Sequence, residues 1–290
     1  MASKSALLTY HPLVAFTFFI GAIGLSMACM HPVYVCLSFA GAFLCSCTVK
    51  GWSDTARSLV WIIPMWLVLI IANPFFVSSG STELFHTFLG TVYWEAMVYG
   101  FCSGGMLASV FLWFMAYAHV MTSENTMALL GNVIPVISVM ITQVMRLVPQ
   151  FVKRGHDISQ VHEACSAAAP QEKKDSTKAR LRIVSILMSW GMEDGIERSQ
   201  SMLSRGYGCG VKRTTYKRYS ISQSDMVLLG ITLFLGILSA CFAWMECSRF
   251  EFYPVLSQLT LWVGYFTYGL FLVIPGVLQG KEWWQWRLLK

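Results

Sequence analysis

The sequence predicts an all-α, polytopic membrane protein with about six transmembrane helices and two long cytoplasmic helices that cross. Hydrophobic residues make up 56% of its 290 residues and charged residues only 12%, whereas soluble proteins carry about 25% charged residues. The apolar residues collect in long runs, and the basic residues collect between these runs. The net charge of +6 therefore indicates membrane topology rather than nucleic-acid binding.

Six apolar runs approach the roughly 20 residues that a bilayer core requires. They are Pro12–Met30, Pro32–Val49, Ser58–Ala72, Ala96–Thr122, Met226–Met245 and Val255–Leu278. The third run is short and closes on Asn73-Pro74, so we expect it to tilt or to stop within the membrane. No signal peptide is predicted, and the first run is interpreted as a retained span. The chain then divides into N-terminal transmembrane helices (1–122), a central cytoplasmic segment (123–224), and C-terminal transmembrane helices with a cytoplasmic tail (225–290).

The basic residues favour one orientation of these spans. If both termini are cytoplasmic, 20 of the 21 Lys and Arg residues lie on the cytoplasmic side, with Arg249 the exception, as the positive-inside rule expects. The apolar stretch Met127–Met145 challenges this count of spans. If this stretch crossed the membrane, nearly all the basic residues of the central segment would lie on the outer side. We therefore interpret it as a helix lying at the cytoplasmic face.

The central segment predicts two long helices. The first runs from Pro135 to about Ala164, and a polar linker follows. The second begins near a cap at Asp175 or Ser176 and carries small residues at every fourth position, namely Gly191, Gly195 and Ser199. Such spacing lets helix backbones approach closely, so we expect the two helices to cross there. The alternative is that the glycines only loosen the helix, at about 1 kcal/mol each.

An apolar stripe runs along one side of the second helix, and we expect it to pack on the first helix. Its members are Leu181, Val184, Met188, Met192, Gly195 or Ile196, Ser199 and Leu203. The helix ends at Arg205, because Gly206 and Gly208 tolerate the left-handed geometry that closes helices. The residues alone leave two interpretations of Arg205 open. It either complements the negative end of the helix dipole or makes a functional contact.

Residue patterns for catalysis are missing from the sequence. Gly206–Lys212 lacks the Gly-Lys-Ser/Thr ending of a phosphate loop, and neither His-Glu-x-x-His nor Gly-x-Ser-x-Gly occurs. The adjacent Glu193 and Asp194 are interpreted as a solvated face, and the nine cysteines as apolar thiols. The predicted spans also lack the charged residues that ion-coupled transporters use. We therefore predict a chain that is not an enzyme, binds no cofactor or metal, and depends on a partner for energy.

Three segments resemble the transmembrane T component of energy-coupling factor (ECF) transporters, the family that includes the cobalt-transport membrane subunit. The segments are Asn73-Pro74-Phe75-Phe76 with Gly80-Ser81-Thr82-Glu83-Leu84-Phe85, then Met145-Arg146-Leu147-Val148-Pro149-Gln150-Phe151, and Ser204-Arg205-Gly206-Tyr207-Gly208 followed by Lys212-Arg213-Thr214 and Tyr216. The last is the most specific. With helix order included, the resemblance spans nearly the whole chain.

The resemblance implies a transport role without catalysis. In this family, two crossing cytoplasmic coupling helices dock by arginine-centred tips on two ABC-type ATPase subunits, which bind ATP and Mg. A separate membrane S component binds the substrate, a vitamin or transition-metal ion. The resemblance implies that the apolar stripe between Leu181 and Leu203 contacts this component as well as the first helix. The implied docking residues here are Ser204, Arg205 and Gly206 on one helix and Ala164, Cys165 and Ser166 on the other. The implied location is a bacterial or archaeal cell membrane.

The chain departs from the family pattern at the first tip, where the family has Ala-Arg-Gly and this sequence has Ala164-Cys165-Ser166. A cysteine cannot donate bidentate hydrogen bonds, so the resemblance implies weaker docking on one ATPase. Two other functions remain alternatives. One is an ABC permease that itself conducts substrate through its bundle, and the other is an intramembrane enzyme.

Overall fold

The computed structural model describes residues 10–76, 82–87, 90–166, 173–210, 221–253, 257 and 263–288. Almost all of the elements within these ranges are helices. In chain order they are α1 (Pro12–Ala28), α2 (Pro32–Lys50), α3 (Trp52–Phe76), β1 (Glu83–Thr87), β2 (Gly90–Tyr93), α4 (Trp94–Val120), α5 (Ser123–Val133), α6 (Pro135–Ser166), α7 (Lys173–Ser204), α8 (Gln223–Cys247) and α9 (Val263–Leu288). The predicted all-α class is confirmed, with one small antiparallel hairpin, β1–β2, added to it.

Six of these helices are long and apolar enough to cross a membrane, so the multi-pass membrane character of the chain is confirmed. They are α2, α3, α4, α6, α8 and α9. Helix α1 is equally apolar but has only 17 residues, which is close to the lower limit for a span. By length and composition alone, α6 also qualifies, although the distribution of basic residues predicts that it does not cross.

Several predicted helix boundaries are wrong. Helix α3 has 25 residues and continues through Pro64 and Pro74, although we predicted a short run that ends before Pro74. An internal proline removes one backbone hydrogen bond and bends a helix, but it need not end it. Helix α7 already begins at Lys173, so the predicted caps Asp175 and Ser176 lie inside it. Helix α9 extends to Leu288, ten residues beyond the predicted end at Leu278.

The apolar stretch Met127–Met145 is not one continuous helix. Helix α5 ends at Val133 and α6 begins at Pro135, leaving Ile134 outside both helices. Proline suits the first position of a helix and disfavours helical geometry in the residue before it. The break therefore follows directly from the position of Pro135.

The chain forms two compact units. One contains residues 1–129 and 219–290, and the other contains residues 130–218. The N-terminal and C-terminal helices thus belong to the same unit, while α6 and α7 belong to the second. Residues 167–172 of the predicted linker, and the positions Lys212, Arg213, Thr214 and Tyr216 of the sequence analysis, lie outside the described residues.

Aromatic side chains form the centre of the first unit. The ring centroid of Phe18 lies 5.8 Å from that of Trp113 and 5.1 Å from that of Phe271. Trp113 is fully buried and donates a hydrogen bond from Nε1 to Ser38 Oγ over 3.3 Å. This bond satisfies the polar indole nitrogen, as a buried tryptophan requires. Helices α1, α2, α4 and α9 are joined through this cluster.

Glycines bring α3 and α4 into close contact. A Cβ atom added to Gly104 would lie 2.5 Å from Trp66 Cδ1, and one added to Gly105 would lie 2.8 Å from Val35 Cγ1. Trp66 in turn donates from Nε1 to the carbonyl of Phe101 over 3.0 Å. Gly104 and Gly105 therefore let α4 pack closely on α3 and, through Val35, on α2.

The segment after α3 is held to the start of α4 by a buried carboxylate. Glu95 is 2% exposed, and Oε1 accepts hydrogen bonds from Thr82 Oγ1 over 2.9 Å and from the Thr82 backbone N–H over 3.3 Å. Asn73 Nδ2 donates to the carbonyl of Ala96 over 2.7 Å. Asn73, near the end of α3, and Thr82, just before β1, are therefore both hydrogen-bonded to the first turn of α4.

His31 caps the N-terminus of α2 inside a polar and aromatic cluster. It is 1% exposed. Its Nδ1 accepts from the Val33 N–H over 3.3 Å, and its Nε2 lies 3.3 Å from the Tyr265 hydroxyl. Burial lowers the pKa of His31 from 6.5 to about 4, because the charged imidazolium would lose its hydration.

This burial predicts that the folded chain becomes less stable in acid. Between pH 6.5 and pH 4 the unfolded chain binds a proton that the folded His31 does not, so stability falls as the pH falls through this window. Thermal unfolding from pH 7 to pH 4.5 measures the effect. We expect His31→Asn, which retains a capping side chain, to flatten the dependence. His119→Asn, at an exposed histidine, serves as the control; equal slopes in all three proteins would contradict the assignment.

Candidate docking site

The C-terminus of α7 ends in a Schellman motif. The Tyr207 N–H donates to the Met202 carbonyl over 3.0 Å, and the Gly206 N–H donates to the Leu203 carbonyl over 3.0 Å. Gly206 has φ +82°, the left-handed conformation that glycine adopts without strain. The backbone of the tip is therefore fixed by its own hydrogen bonds, and the predicted helix end is explained by Gly206.

Arg205 occupies the cap position of this motif. Its side chain is exposed, as is that of Ser204. Within the described part of the chain, the Arg205 guanidinium has no hydrogen-bond or ion-pair partner. Five N–H donors are thus presented at a fixed helix tip, in the planar geometry that binds carboxylates and backbone carbonyls.

The other predicted tip lies at the end of α6. Ala164 and Cys165 are exposed within the last turn of the helix, and α6 ends at Ser166. The structure thus places the implied docking residues of the first helix at a helix terminus, like those of the second. Cys165 supplies only a weak hydrogen-bond donor there.

Helices α6 and α7 pack against each other around Phe151. A Cβ atom added to Gly191 would overlap the tip of the Phe151 ring, and the same ring lies 5.4 Å from the Trp190 ring centroid. The Arg154 guanidinium lies 5.3 Å from the Trp190 centroid, which is a cation–π distance. Gly191 is therefore the small residue that permits this helix contact.

Polar side chains extend the contact along both helices. Arg198 donates to Gln150 of α6 and forms an ion pair with Asp194, one turn earlier on α7. Gln143 Nε2 donates to Met202 Sδ over 3.3 Å. Asp194 is thus half-buried and paired, so the interpretation of Glu193 and Asp194 as a solvated face is wrong for Asp194. The i, i+4 spacing of Asp194 and Arg198 is the sequence signal that indicates the pair.

The remaining predicted crossing residues lie on a different face of α7. Gly195 has no heavy atom within 4 Å of an added Cβ, and both Gly195 and Ser199 are exposed. The residues of α7 that contact α6 are Leu187, Trp190, Gly191, Arg198 and Met202, and Asp194 pairs with Arg198 on the same side of the helix. This face is displaced by about one residue, or roughly 100° of helix rotation, from the predicted stripe.

The predicted apolar stripe of α7 is consequently not covered by α6, and the expectation that it packs there is wrong. Its large side chains are between 54% and 70% exposed. They belong to Leu181, Val184, Met188, Met192, Ile196 and Leu203. Helix α7 therefore has two contact faces, one used by α6 and one open within this chain. Among the described residues, no group of three or more His, Cys, Asp or Glu side chains is placed to hold a metal ion.

Neither a protein-family model nor a curated protein matches this chain.

Proposed function

We propose that the chain is the transmembrane T component of an ECF-type ABC importer. It transmits ATP-driven motion from two ABC-type ATPase subunits to a separate S component, which binds a vitamin or transition-metal ion. The chain itself binds no cofactor, because ATP and Mg belong to the ATPases. The membrane is the cytoplasmic membrane of a bacterium or archaeon, and both termini are cytoplasmic.

The observation that carries this proposal is the exposed Arg205 at a capped helix tip. Its backbone is already satisfied by the Schellman motif, so the guanidinium is free to bind a partner without unfolding the helix. The preceding helix contains 32 residues, or about 48 Å at 1.5 Å per residue. A rigid rod of that length can carry a displacement from its tip to a distant contact.

The two faces of α7 have different roles in the proposed mechanism. One face packs on α6 through Phe151 and Gly191, so the two helices move together. The open stripe from Leu181 to Leu203 provides an apolar surface for the S component. Motion of the ATPases shifts the S component only if the contacts at Arg205 differ between the ATP-bound and ATP-free states.

Copurification tests the proposal directly. A tagged chain expressed in its own organism and purified in mild detergent is expected to retain two ABC-type ATPase subunits and a small membrane protein as the S component. Mass spectrometry identifies the retained proteins. Recovery of the chain without any ATPase would overturn the proposal, and transport by the purified chain alone would favour the permease alternative.

The two helix tips are expected to contribute unequally to ATPase binding. Cys165 is exposed at the end of α6. We therefore predict that Cys165→Arg increases ATPase recovery severalfold, because a guanidinium adds charge-assisted hydrogen bonds. Cys165→Ser is the matched control and should leave recovery unchanged. Unaltered recovery with Cys165→Arg would show that this tip does not bind through an arginine.

A further inference from the structure

A cleft lies at one end of the first unit, where the beginnings of α1 and α8 meet the second half of α9. Its volume is about 360 Å³, which is within the range of small-molecule binding sites. Helix α8 contributes most of the lining residues, α9 contributes Leu278 and Lys281, and Tyr10 lies just before α1. The cleft is therefore formed by segments that are far apart in the sequence but belong to the same compact unit.

The lining of the cleft changes from polar to apolar along α8. Gln223 and Ser224 occupy the first turn of this helix. Val227 and Leu228 follow one turn later, and Ile231 follows after about one more turn. At 1.5 Å per residue, Ile231 lies about 12 Å along the helix axis from the polar first turn. A ligand that matches this lining is polar at one end and apolar at the other.

Helix α9 adds a positive charge to the cleft. Leu278 is 8% exposed and belongs to the hydrophobic core, whereas Lys281, one turn later on the same face, is exposed. Within the part of the chain that the structure describes, the Lys281 ammonium forms neither an ion pair nor a hydrogen bond. Asp225, the acidic residue in the first turn of α8, does not line the cleft, and its Oδ2 accepts a hydrogen bond from the Ser222 N–H over 3.1 Å. The charge that lines the cleft is therefore positive.

The apolar part of the cleft is open towards the side of the helix bundle. Val227 is 63% exposed and Ile231 is 46% exposed, and both belong to a helix that is long and apolar enough to span a membrane. The exposed side of such a helix faces acyl chains rather than water. A phospholipid combines an acyl chain with a charged phosphate, whereas a free phosphate ion would leave the apolar wall uncovered.

We propose that this cleft binds an anionic phospholipid of the cytoplasmic leaflet. The phosphate lies against Lys281, Gln223 and Ser224, and one acyl chain lies along Val227 and Ile231. Lysine suits this position, because its apolar stem covers the wall while its ammonium group stays at the level of the headgroups. The choice of leaflet rests on the orientation in the proposed function, which places the beginning of α8 on the cytoplasmic side, whereas lipid binding by the purified chain does not depend on it.

Native mass spectrometry of the full chain, purified in mild detergent, tests the proposal. Dioleoylphosphatidylglycerol is compared with dioleoylphosphatidylcholine, which has the same acyl chains but no net charge. The wild-type chain is expected to retain one phosphatidylglycerol molecule. It should bind this lipid about fivefold more tightly than phosphatidylcholine, the effect of one lysine on an anionic headgroup.

Two matched pairs of variants test the polar and the apolar parts of the cleft separately. Lys281→Gln should remove the preference for phosphatidylglycerol, whereas Lys178→Gln, at an exposed lysine of α7, should retain it. Val227→Trp fills the apolar part of the cleft and should reduce the retention of both lipids severalfold. Met226→Trp changes a neighbouring exposed residue that does not line the cleft and should leave retention unchanged.

Three outcomes would overturn the proposal. The first is equal binding of the two lipids by the wild-type chain, and the second is an unchanged preference in Lys281→Gln. The third is displacement of phosphatidylglycerol by inorganic phosphate at constant ionic strength, which would identify a free anion as the ligand. The wild-type comparison does not depend on whether a variant folds. It also needs no ATPase, so failure of the copurification experiment and failure of this one are distinguishable.

Discussion

Replacing Arg205 with alanine is expected to reduce the recovery of ATPase subunits at least about tenfold while the chain still inserts into the membrane. Truncating one partner of a desolvated, hydrogen-bonded charge contact costs about 2–5 kcal/mol of binding free energy. The tip itself should survive, because the Schellman hydrogen bonds use backbone atoms of Met202, Leu203, Gly206 and Tyr207. Copurification quantified against the tagged chain measures the loss, and uptake into cells should fall with it.

Three further variants test whether the loss of ATPase recovery comes from the Arg205 guanidinium and its position at the helix tip. Arg205→Lys retains the charge but not the planar fork, so an intermediate recovery is expected. Gly206→Ala places a side chain at φ +82° and should weaken docking by distorting the tip, at roughly 1–2 kcal/mol. Arg180→Ala removes another exposed arginine of α7 and should have no effect. Wild-type recovery with Arg205→Ala would eliminate the docking role of this residue.

Local sequence signals were sufficient for two ends of the long helices, the start of α6 and the end of α7. The break at Pro135 and the closure at Gly206 each depend on one residue whose backbone preferences are strong, so they could be predicted without knowledge of the partners. The membrane character could likewise be predicted, because the length and apolarity of a span are local properties. The docking role of Arg205 stays a prediction, since it depends on another protein.

Features that depend on distant residues could not be predicted in this way. The contact face of α7 is set by the Phe151 ring of α6, and the sequence of α7 offers two faces with suitable spacing. Glu95 directly precedes the predicted fourth span, and its sequence position does not reveal that its carboxylate is buried and accepts hydrogen bonds from Thr82. The β1–β2 hairpin is local but short, and its strands are stabilised by pairing with each other rather than by the preferences of single residues.

Gly191 and Gly195 provide a matched pair that tests which face of α7 contacts α6. Leucine at either position gains about the same helix propensity over glycine. At Gly191, however, the side chain would overlap the Phe151 ring, whereas an added Cβ at Gly195 meets no atom within 4 Å. Overpacking typically costs about 1–3 kcal/mol. We expect Gly191→Leu to lower the melting temperature and to accelerate proteolysis within residues 130–218, and Gly195→Leu to do neither.

The Phe151 ring is the expected cause of the destabilisation by Gly191→Leu, so removal of the ring should relieve that destabilisation. Phe151→Ala removes the atoms that an added side chain would overlap, so it should be less harmful in the Gly191→Leu background than in the wild type. A double-mutant cycle measures this coupling, which should reach about 1 kcal/mol or more because the two residues touch. Additive effects, or equal effects of leucine at both glycines, would show that α7 contacts α6 through the predicted stripe or not at all. A selective defect at Gly191 would instead leave the open stripe available to the proposed S component, and Gly195→Leu would then impair transport without destabilising the helix pair.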